Sequence, residues 1–349
     1  MRLEPRGRVP LALAVLAPVG AGVLALAICA VPLAWAGAPV GEAYGLIFRG
    51  SLGSRFAITE TLARAAPLIL TGLAVAVAFR ARLWNIGAEG QLYSGALAAV
   101  VVGSGALDAP RAVLILLVLV AGALAGALFM LVPTLLKVTL GVDEVVTTLL
   151  LNFIALLFVG MMLEGPMRDP MSMGWPQSEP IVAEATLPRL LERSRVHAGL
   201  LVALAASLIV WLMVQRTIWG FEMRAVGANI TAAHFAGIPV MAVMIRVGLI
   251  SGALAGLAGV GEVAGLRGYL TQDLSPGYGY SGIVVAMLAQ LNALGVVGAA
   301  LFVAAVFVGA DSMSRTLGVS SFIAQLIVAT SLLTMLLSSL ITRYRIYWR

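Results

Sequence analysis

Polar side chains cluster in residues 79–91, FRARLWNIGAEGQ, although the chain on both sides is strongly apolar. Each polar group in apolar surroundings costs free energy unless it faces a partner or water. Amides and carboxylates hydrogen-bond to polar ligands once water is removed. Asn85, Glu89 and Gln91, with the neighbouring Trp84, are therefore candidates for lining a polar pathway.

The glycines within this segment predict a broken helix that turns its polar groups inward. Glu89 then lines a path. Alternatively, it pairs with Arg80 or Arg82 at the membrane surface and only shapes the protein. The residue types and their spacing leave both interpretations open.

A second polar group begins at Asp143, which is placed as the N-cap of the helix that follows. Glu144, Thr148 and Asn152 recur every four residues, so we expect them to share one helix face. Asn152 lies inside an apolar span, where its amide needs a partner. It either joins two helices or contacts a substrate, together with the adjacent Phe153.

The insert of residues 216–240 separates two apolar segments, and Arg216 and Arg224 mark it as cytoplasmic. Its middle, GANITAAHFAGI, predicts a short helix with a small face that another protein can approach closely. Tryptophan in place of Ala233 is expected to spare the packing of the spans and to block docking. The candidate docking residues are Glu222, Arg224, Gly227, Asn229, Ala232, Ala233 and Gly237.

Composition places the chain in a membrane. It has 349 residues, of which 61% are hydrophobic and 11% charged, and its mean hydropathy is +1.04, too apolar for a soluble core. The 38 glycines favour closely packed helices over a β-barrel. We expect an all-α polytopic protein of the plasma (inner) membrane, with one transmembrane domain over residues 1–349. The net charge of +6 reflects basic residues that flank spans, so no nucleic acid partner is expected.

Several chemistries are excluded by absent patterns. The single cysteine, Cys29, excludes an internal disulfide and a multi-cysteine metal site. No G-x-x-x-x-G-K-[ST] loop is present to cradle ATP, and His197 and His234 lack the spacing of a zinc site. We therefore expect no catalytic residue, metal or cofactor in this chain. Any ATP-driven motor must be a separate subunit.

Ten apolar stretches are long enough to cross a bilayer, allowing for tilt and for helices broken at glycine. They are Leu11–Trp35, Thr59–Phe79, Ile86–Gly103, Ala112–Val132, Glu144–Leu163, His197–Gln215, Met241–Val263, Tyr280–Leu294, Gly295–Ala310 and Phe322–Ile341.

The distribution of basic residues predicts that both termini are cytoplasmic. If the spans are counted from the N-terminus, twelve basic residues lie on the same side of the membrane as the N-terminus and ten on the opposite side. Four of those ten lie in the long loop 164–196 and are set aside, because long loops contribute little to orientation, which leaves twelve against six. The twelve are Arg2, Arg6, Arg8, Arg80, Arg82, Lys137, Arg216, Arg224, Arg246, Arg343, Arg345 and Arg349. Loop 164–196 is then extracytoplasmic, either as a plain connector or as a surface for a delivery protein.

Two nine-residue segments resemble each other, YSGALAAVV from Tyr93 and YSGIVVAML from Tyr280. In the predicted topology they run in opposite directions, as in the inverted repeats that place a translocation path between two halves. Chance similarity in an alanine-rich chain is the alternative. Glycines four residues apart, at Gly248, Gly252 and Gly256, predict a close helix crossing, either inside the bundle or at a seam between subunits.

Three strings, taken in order, resemble the permease subunits of bacterial ABC importers for nucleosides and simple sugars. They are RLWNIGAEGQ from Arg82, DEVVTTLLLN from Asp143 and the 227–238 insert. The resemblance covers nearly the whole chain, and WNIGAEGQ is similar to the string of the nucleoside branch. The EAA signature of other importers is not matched literally, although Glu222, Ala232 and Ala233 are present.

This resemblance implies that the insert is the coupling helix of the transporter. It also implies several partners: an ATP-binding cassette subunit, a second homologous permease in a heterodimer, an extracytoplasmic substrate-binding lipoprotein and a nucleoside, purine or broad in type. A ribose-type or other simple sugar substrate is the alternative.

Two other classes of protein compete with this interpretation. An ion-coupled secondary transporter uses ionisable or carbonyl-lined sites near the bilayer midplane, but most acidic residues here lie near the ends of spans. A membrane-embedded enzyme needs a nucleophile and a base within hydrogen-bonding reach, and the spans show no such pair. Uptake that survives ATP depletion, or cleavage of a membrane peptide, would favour these classes.

Overall fold

Helices make up nearly all of the regular structure. The computed structural model describes residues 2–5 and 11–347, with side chains for residues 20–338; Arg6, Arg8 and Arg349 of the topology argument lie outside the described residues. The helices are α1 Leu11–Trp35, α2 Val40–Leu52, α3 Arg55–Arg80, α4 Ala88–Gly103, α5 Arg111–Leu140, α6 Glu144–Glu164, α7 Gly199–Arg216, α8 Ile218–Ala228, α9 Ile230–Phe235, α10 Val240–Val260, α11 Tyr278–Leu288, α12 Ala293–Leu317 and α13 Ser321–Arg343.

Four short elements complete the regular structure of the described residues. A π-helical segment, Gly261–Arg267, continues α10, and a 3-10 turn covers Ala183–Ala185. Strand β1, Arg2–Pro5, pairs antiparallel with β2, Tyr344–Tyr347. Residues 2–5 and 344–347 are therefore side by side.

Each of the ten predicted spans overlaps a helix, but nine of them differ from that helix in length. Within the described residues, seven helices are long and apolar enough to cross a membrane, or eight if a pair bent by 118°, Gly20–Trp35 with Val40–Leu52, forms one span. The segment predicted to begin at Ile86 forms a helix of 16 residues. The one predicted as Tyr280–Leu294 ends at Leu288, because Gln290 and Leu291 adopt positive φ of 53° and 59°.

The chain divides into two compact units. The first comprises Met1–Leu62 with Leu301–Arg349, and the second is Ala63–Ala300. In the first unit, Cys29 is buried in an apolar cluster with Leu33, Ala43, Met313 and Ile327. A packing role for this lone thiol follows.

Glycines bring three helices of the second unit together. A Cβ on Gly126 of α5 would lie 2.8 Å from the backbone nitrogen of Gly256 in α10, and one on Gly95 of α4 would lie 2.6 Å from the Gly256 Cα. Real Cβ atoms do not approach other atoms so closely, so the backbones touch where side chains normally separate them. The predicted ladder of Gly252 and Gly256 thus serves a crossing inside the subunit.

Candidate functional site

The break between α3 and α4 holds the first predicted polar group. Arg82 adopts a positive φ of 56°, and the Leu83 N–H donates to the Ala78 carbonyl, so the helix ends in a tight turn. Asn85 then folds over the start of α4, where its Oδ1 accepts from the Gly87 N–H at 2.9 Å. The prediction of a broken helix is confirmed.

Asn85 and Gln91 form a reciprocal amide pair. Nδ2 of Asn85 donates to Oε1 of Gln91, and Nε2 of Gln91 donates to Oδ1 of Asn85, both at 2.9 Å. The side chains are buried, with exposures of 0% and 1%. Asn85 also donates to Ser251 Oγ at 2.8 Å, and Ser251 donates to the Ala74 carbonyl at 2.7 Å. This network joins α3, α4 and α10, which makes the pair an internal support in this conformation.

Asn152 ties α6 to the same break. Its Oδ1 accepts from the Gly90 N–H at 2.8 Å, and its Nδ2 donates to the Ile86 carbonyl at 2.9 Å and to the Tyr280 hydroxyl at 3.2 Å. The predicted shared face is confirmed, because Glu144, Thr148 and Asn152 are all buried. Of the two roles predicted for Asn152, the joining of helices is the one that its contacts describe.

The first turn of α6 completes the support of the break. The Asp143 carboxylate accepts from the Val145 N–H at 2.7 Å, so the predicted N-cap is confirmed. Glu144 accepts from the Trp84 N–H at 3.1 Å and from the Lys137 ammonium. The contacts of Glu144 lie on the same face of α6 as Asn152.

Glu89 lies where two short helices begin. It belongs to the first turn of α4, and its carboxylate accepts at 2.6 Å from the Gly279 N–H in the first turn of α11. Ser275 also hydrogen-bonds to it. Helix N-termini carry partial positive charge, so one buried carboxylate stabilises both helix ends.

The close approach of the two helices requires glycine at position 279. A Cβ there would lie 2.6 Å from the Glu89 Cα and 2.7 Å from the Ala88 carbonyl carbon. Arg80, the partner considered for Glu89 from the sequence, instead donates to the Leu291 carbonyl. The two segments that resemble each other in sequence lie on α4 and α11. The contact between Glu89 and Gly279 shows that these two helices meet at their N-terminal ends.

Trp84 and Phe153 differ from the other predicted path residues. Their exposed fractions are 43% and 61%. The Trp84 ring packs edge to face on Phe79, with 4.7 Å between ring centroids. Both aromatic side chains are thus exposed on the surface of this chain, and each is next in sequence to a buried amide, Asn85 or Asn152.

The 216–240 insert forms α8 and α9. Glu222 pairs with Arg246 of α10 at 3.0 Å, and Arg246 also lies over the Trp219 ring, 5.3 Å from its centroid. Arg224 donates to the Val214 carbonyl. Both charged docking candidates are therefore engaged within the chain.

Helix α9 presents only part of the predicted docking face. Asn229 caps it by accepting from the Ala232 N–H at 3.0 Å, and Gly237 ends it with a positive φ of 79°. Ala232 is exposed, but Ala233 is only 4% exposed. The expectation that tryptophan at Ala233 would spare the packing was wrong, because that side chain faces inward.

Loop 164–196 is ordered by backbone hydrogen bonds to the segment after α10. The Ser178 N–H donates to the Leu270 carbonyl at 2.9 Å, and the Ile181 N–H donates to the Gly268 carbonyl at 2.8 Å. At the end of the loop, burial lowers the pKa of His197 to about 4. Its Nδ1 accepts from the Gly199 N–H, and its Nε2 has no partner among the described residues.

The sequence did not single out several residues that complete the site. Ser251, Gly279 and Arg246 each contact a predicted residue from a distant part of the chain. A serine or glycine in an alanine-rich helix does not indicate a functional residue. An arginine inside an apolar span does, so Arg246 could have been identified from the sequence. Within the described residues, no group of three His, Cys, Asp or Glu side chains could hold a metal ion.

Comparison with known proteins places the chain among permeases. The family described as "Branched-chain amino acid transport system / permease component" matches residues 57–342. The glucose ABC transporter permease TsgB13 of Haloferax volcanii is 38% identical, over 99% of this chain and 93% of its own length. The guanosine ABC transporter permease NupP of Bacillus subtilis is 37% identical, over 91% and 92%. The nucleoside ABC transporter permease NupB of Lactococcus lactis is 34% identical, over 78% and 77%.

Proposed function

We propose that this chain, which belongs to the branched-chain amino acid transport permease family, carries nucleosides as the membrane subunit of an ABC importer. Members of the family are multi-pass inner-membrane proteins, are not enzymes and work with an ATPase and a substrate-binding protein. The observation that carries the nucleoside proposal is its similarity to two permeases named for guanosine and nucleosides, over most of their lengths.

A simple sugar is the second candidate. It is favoured by the relative named for glucose, whose identity of 38% extends over nearly the whole chain. A nucleoside contains a sugar, so hydroxyl recognition serves both classes, and only the base distinguishes them. Aromatic stacking suits a base, and Trp84 and Phe153 are the exposed aromatic candidates of the path.

Competition for uptake separates the two substrate classes. Cells that express the complete transporter would take up labelled guanosine in the presence of excess nucleosides, nucleobases, ribose or glucose. We expect nucleosides to compete and free sugars to have no effect. Competition by sugars alone would contradict the nucleoside proposal and support the second candidate.

We assign two roles to the path residues. Asn85, Gln91 and Asn152 have their amides paired within the chain, so they act as supports that hold α4 and the break before it. Glu89 holds the start of α11 against α4. Trp84 and Phe153 are then the residues of the path that contact the substrate. Phe153→Ala should raise the KM for uptake with unchanged membrane abundance, and an unchanged KM would contradict this assignment.

The 216–240 insert is the surface proposed to receive the ATPase. Its exposed side includes Ala232 and Phe235, the latter 86% exposed, whereas Ala233 is buried. Several large apolar side chains of the insert are exposed, and a group of exposed apolar residues is typical of an interaction surface. Ala232→Trp should reach the membrane but lose the ATPase on purification, and Ala233→Trp should instead lower the stability of the insert. Normal ATPase retention by Ala232→Trp would contradict this placement.

Ten spans, cytoplasmic termini and an external loop 164–196 remain part of the proposal. Pairing of β1 with β2 supports the placement of both termini on the same side of the membrane. That placement requires an even number of crossings. Seven spans would separate the ends, whereas eight or ten would not. Labelling of cysteines placed singly at exposed positions in a Cys29→Ala background tests the sidedness. Labelling of position 175 from the cytoplasm would contradict it.

A second, different permease is the proposed partner within the membrane. Trp84 and Phe153 expose aromatic surface on this chain, and a neighbouring permease would complete the wall of the path around them. Purification through a tag on this chain should recover one copy of it and one copy of a distinct permease. Recovery of two copies of this chain alone would contradict the heterodimer.

A further inference from the structure

We propose that Arg80 is a positioning residue that links the 216–240 insert to both short helices, α4 and α11. The inference rests on the proposed function, in which the insert receives the ATPase. It adds the route by which movement of the insert reaches the path. Three contacts of Arg80 carry it, and all lie in the unit Ala63–Ala300.

The first contact joins α8 to the backbone of Arg80. A Cβ on Gly227 would overlap the Arg80 carbonyl oxygen and would lie 3.0 Å from the carbonyl carbon and 3.4 Å from the Ala81 Cα. At Gly227, helix α8 therefore touches the end of α3 backbone to backbone. A contact without an intervening side chain leaves no rotamer freedom to absorb a displacement.

The second contact joins the Arg80 side chain to the turn between α11 and α12. Its guanidinium donates to the Leu291 carbonyl. In this turn Gln290 and Leu291 have consecutive positive φ values, which are costly for residues other than glycine. The turn therefore has a specific backbone conformation, and Arg80 hydrogen-bonds to Leu291, one of its two residues with positive φ.

The third contact is covalent, because Arg80 is the last residue of α3. The chain passes through the tight turn at Arg82 and Leu83 to Asn85, which pairs with Gln91 of α4. Movement of Arg80 therefore acts on the start of α4 through the break and on the end of α11 through Leu291. These two helices meet at Glu89 and Gly279, beside the proposed path.

The test compares ATP hydrolysis with uptake in the same vesicles. The complete transporter, including its binding protein, would be reconstituted with Arg80→Met, which keeps the length of the side chain and removes its donors, and with Gly227→Ala. Gly298→Ala is the matched control, because a Cβ there meets nothing within 4 Å. We expect ATP consumed per substrate imported to rise about tenfold in both variants and to stay unchanged in the control.

The combined variant gives a second readout. If both changes interrupt one link, Arg80→Met with Gly227→Ala should be no worse than the more severe single variant, whereas independent effects would multiply. Multiplied effects would overturn the proposal. So would an unchanged ratio in an assembled Arg80→Met complex, or an equal fall in hydrolysis and uptake, which is the result of a merely structural role.

Two further outcomes are separated by the design. If Arg80→Met does not assemble, the ratio measured with Gly227→Ala decides, because that variant keeps every polar group. A failure of the proposed function appears in the unsubstituted complex, as uptake that does not depend on ATP. A failure of the Arg80 link appears only in the variants, with the unsubstituted complex active.

Discussion

Replacing Asn85 with leucine tests the buried amide network most severely. The side chain is 0% exposed and makes two hydrogen bonds to Gln91, one to the Gly87 N–H and one to Ser251. Leucine has a similar shape and no polar atoms. The Gln91 Oε1 and the Gly87 N–H then lose these partners, while Ser251 keeps its bond to Ala74 and the Gln91 amide nitrogen keeps Met130.

The expected loss of stability follows from these two unpaired groups. A buried group left without a partner costs about 1–3 kcal/mol, which gives a range of about 2–6 kcal/mol for two. Hydrogen bonds between helices in membranes average only about 0.6 kcal/mol, because the unfolded chain also finds partners. We therefore expect a loss near the lower limit, about 2 kcal/mol.

The assay is unfolding of the purified chain in mixed micelles at increasing denaturing detergent. Asn85→Leu should unfold at lower detergent than the unsubstituted protein. Adding Gln91→Met should recover part of the loss, because removing both partners leaves only the Gly87 N–H unpaired. A double variant that is less stable than Asn85→Leu by the full cost of Gln91→Met would refute the reciprocal pair.

Three other predictions concern stability. Gly126→Ala should cost about 1–3 kcal/mol in thermal unfolding, because its Cβ would press on Gly256, whereas Gly298→Ala should change it by less than about 0.5 kcal/mol; equal effects would contradict the close crossing. Asp143→Ala should cost about 1 kcal/mol and Asp143→Asn less, since asparagine also caps helices, and equal losses would argue against the cap. Burial lowers the pKa of His197 to about 4 from 6.5, so its stabilising effect is complete above pH 6.5 and is lost as pH falls toward 4. The protection of amides in loop 164–196, corrected for the intrinsic exchange rate at each pH, should therefore fall over that range in the unsubstituted protein and not in His197→Gln; identical pH profiles of the corrected protection would be the contrary result.

The helices were predictable because their signals are local. Long apolar runs, the N-cap at Asp143 and the glycines around Asn85 fix elements through interactions within a few residues. The four-residue spacing of Glu144, Thr148 and Asn152 placed them correctly on one face. The short helix α2, by contrast, was missed, because Glu42 and Arg49 interrupt its apolar character.

The partners of the polar residues were not predictable, since they depend on contacts between distant segments. Nothing near Glu89 in the sequence indicates Gly279, and a nearby arginine was the more obvious partner. The burial of Ala233 depends in the same way on tertiary packing, because both faces of α9 carry small residues. Sequence therefore located the polar residues around the helix break more readily than it showed which way they face.

Initial uptake rates in purified vesicles test the central proposal most directly. The complete transporter would be reconstituted with ATP on the side of its ATPase, and labelled guanosine and labelled glucose would be supplied at equal concentration with their binding protein. The nucleoside proposal predicts ATP-dependent accumulation of guanosine and none of glucose. Accumulation of glucose without guanosine would contradict it.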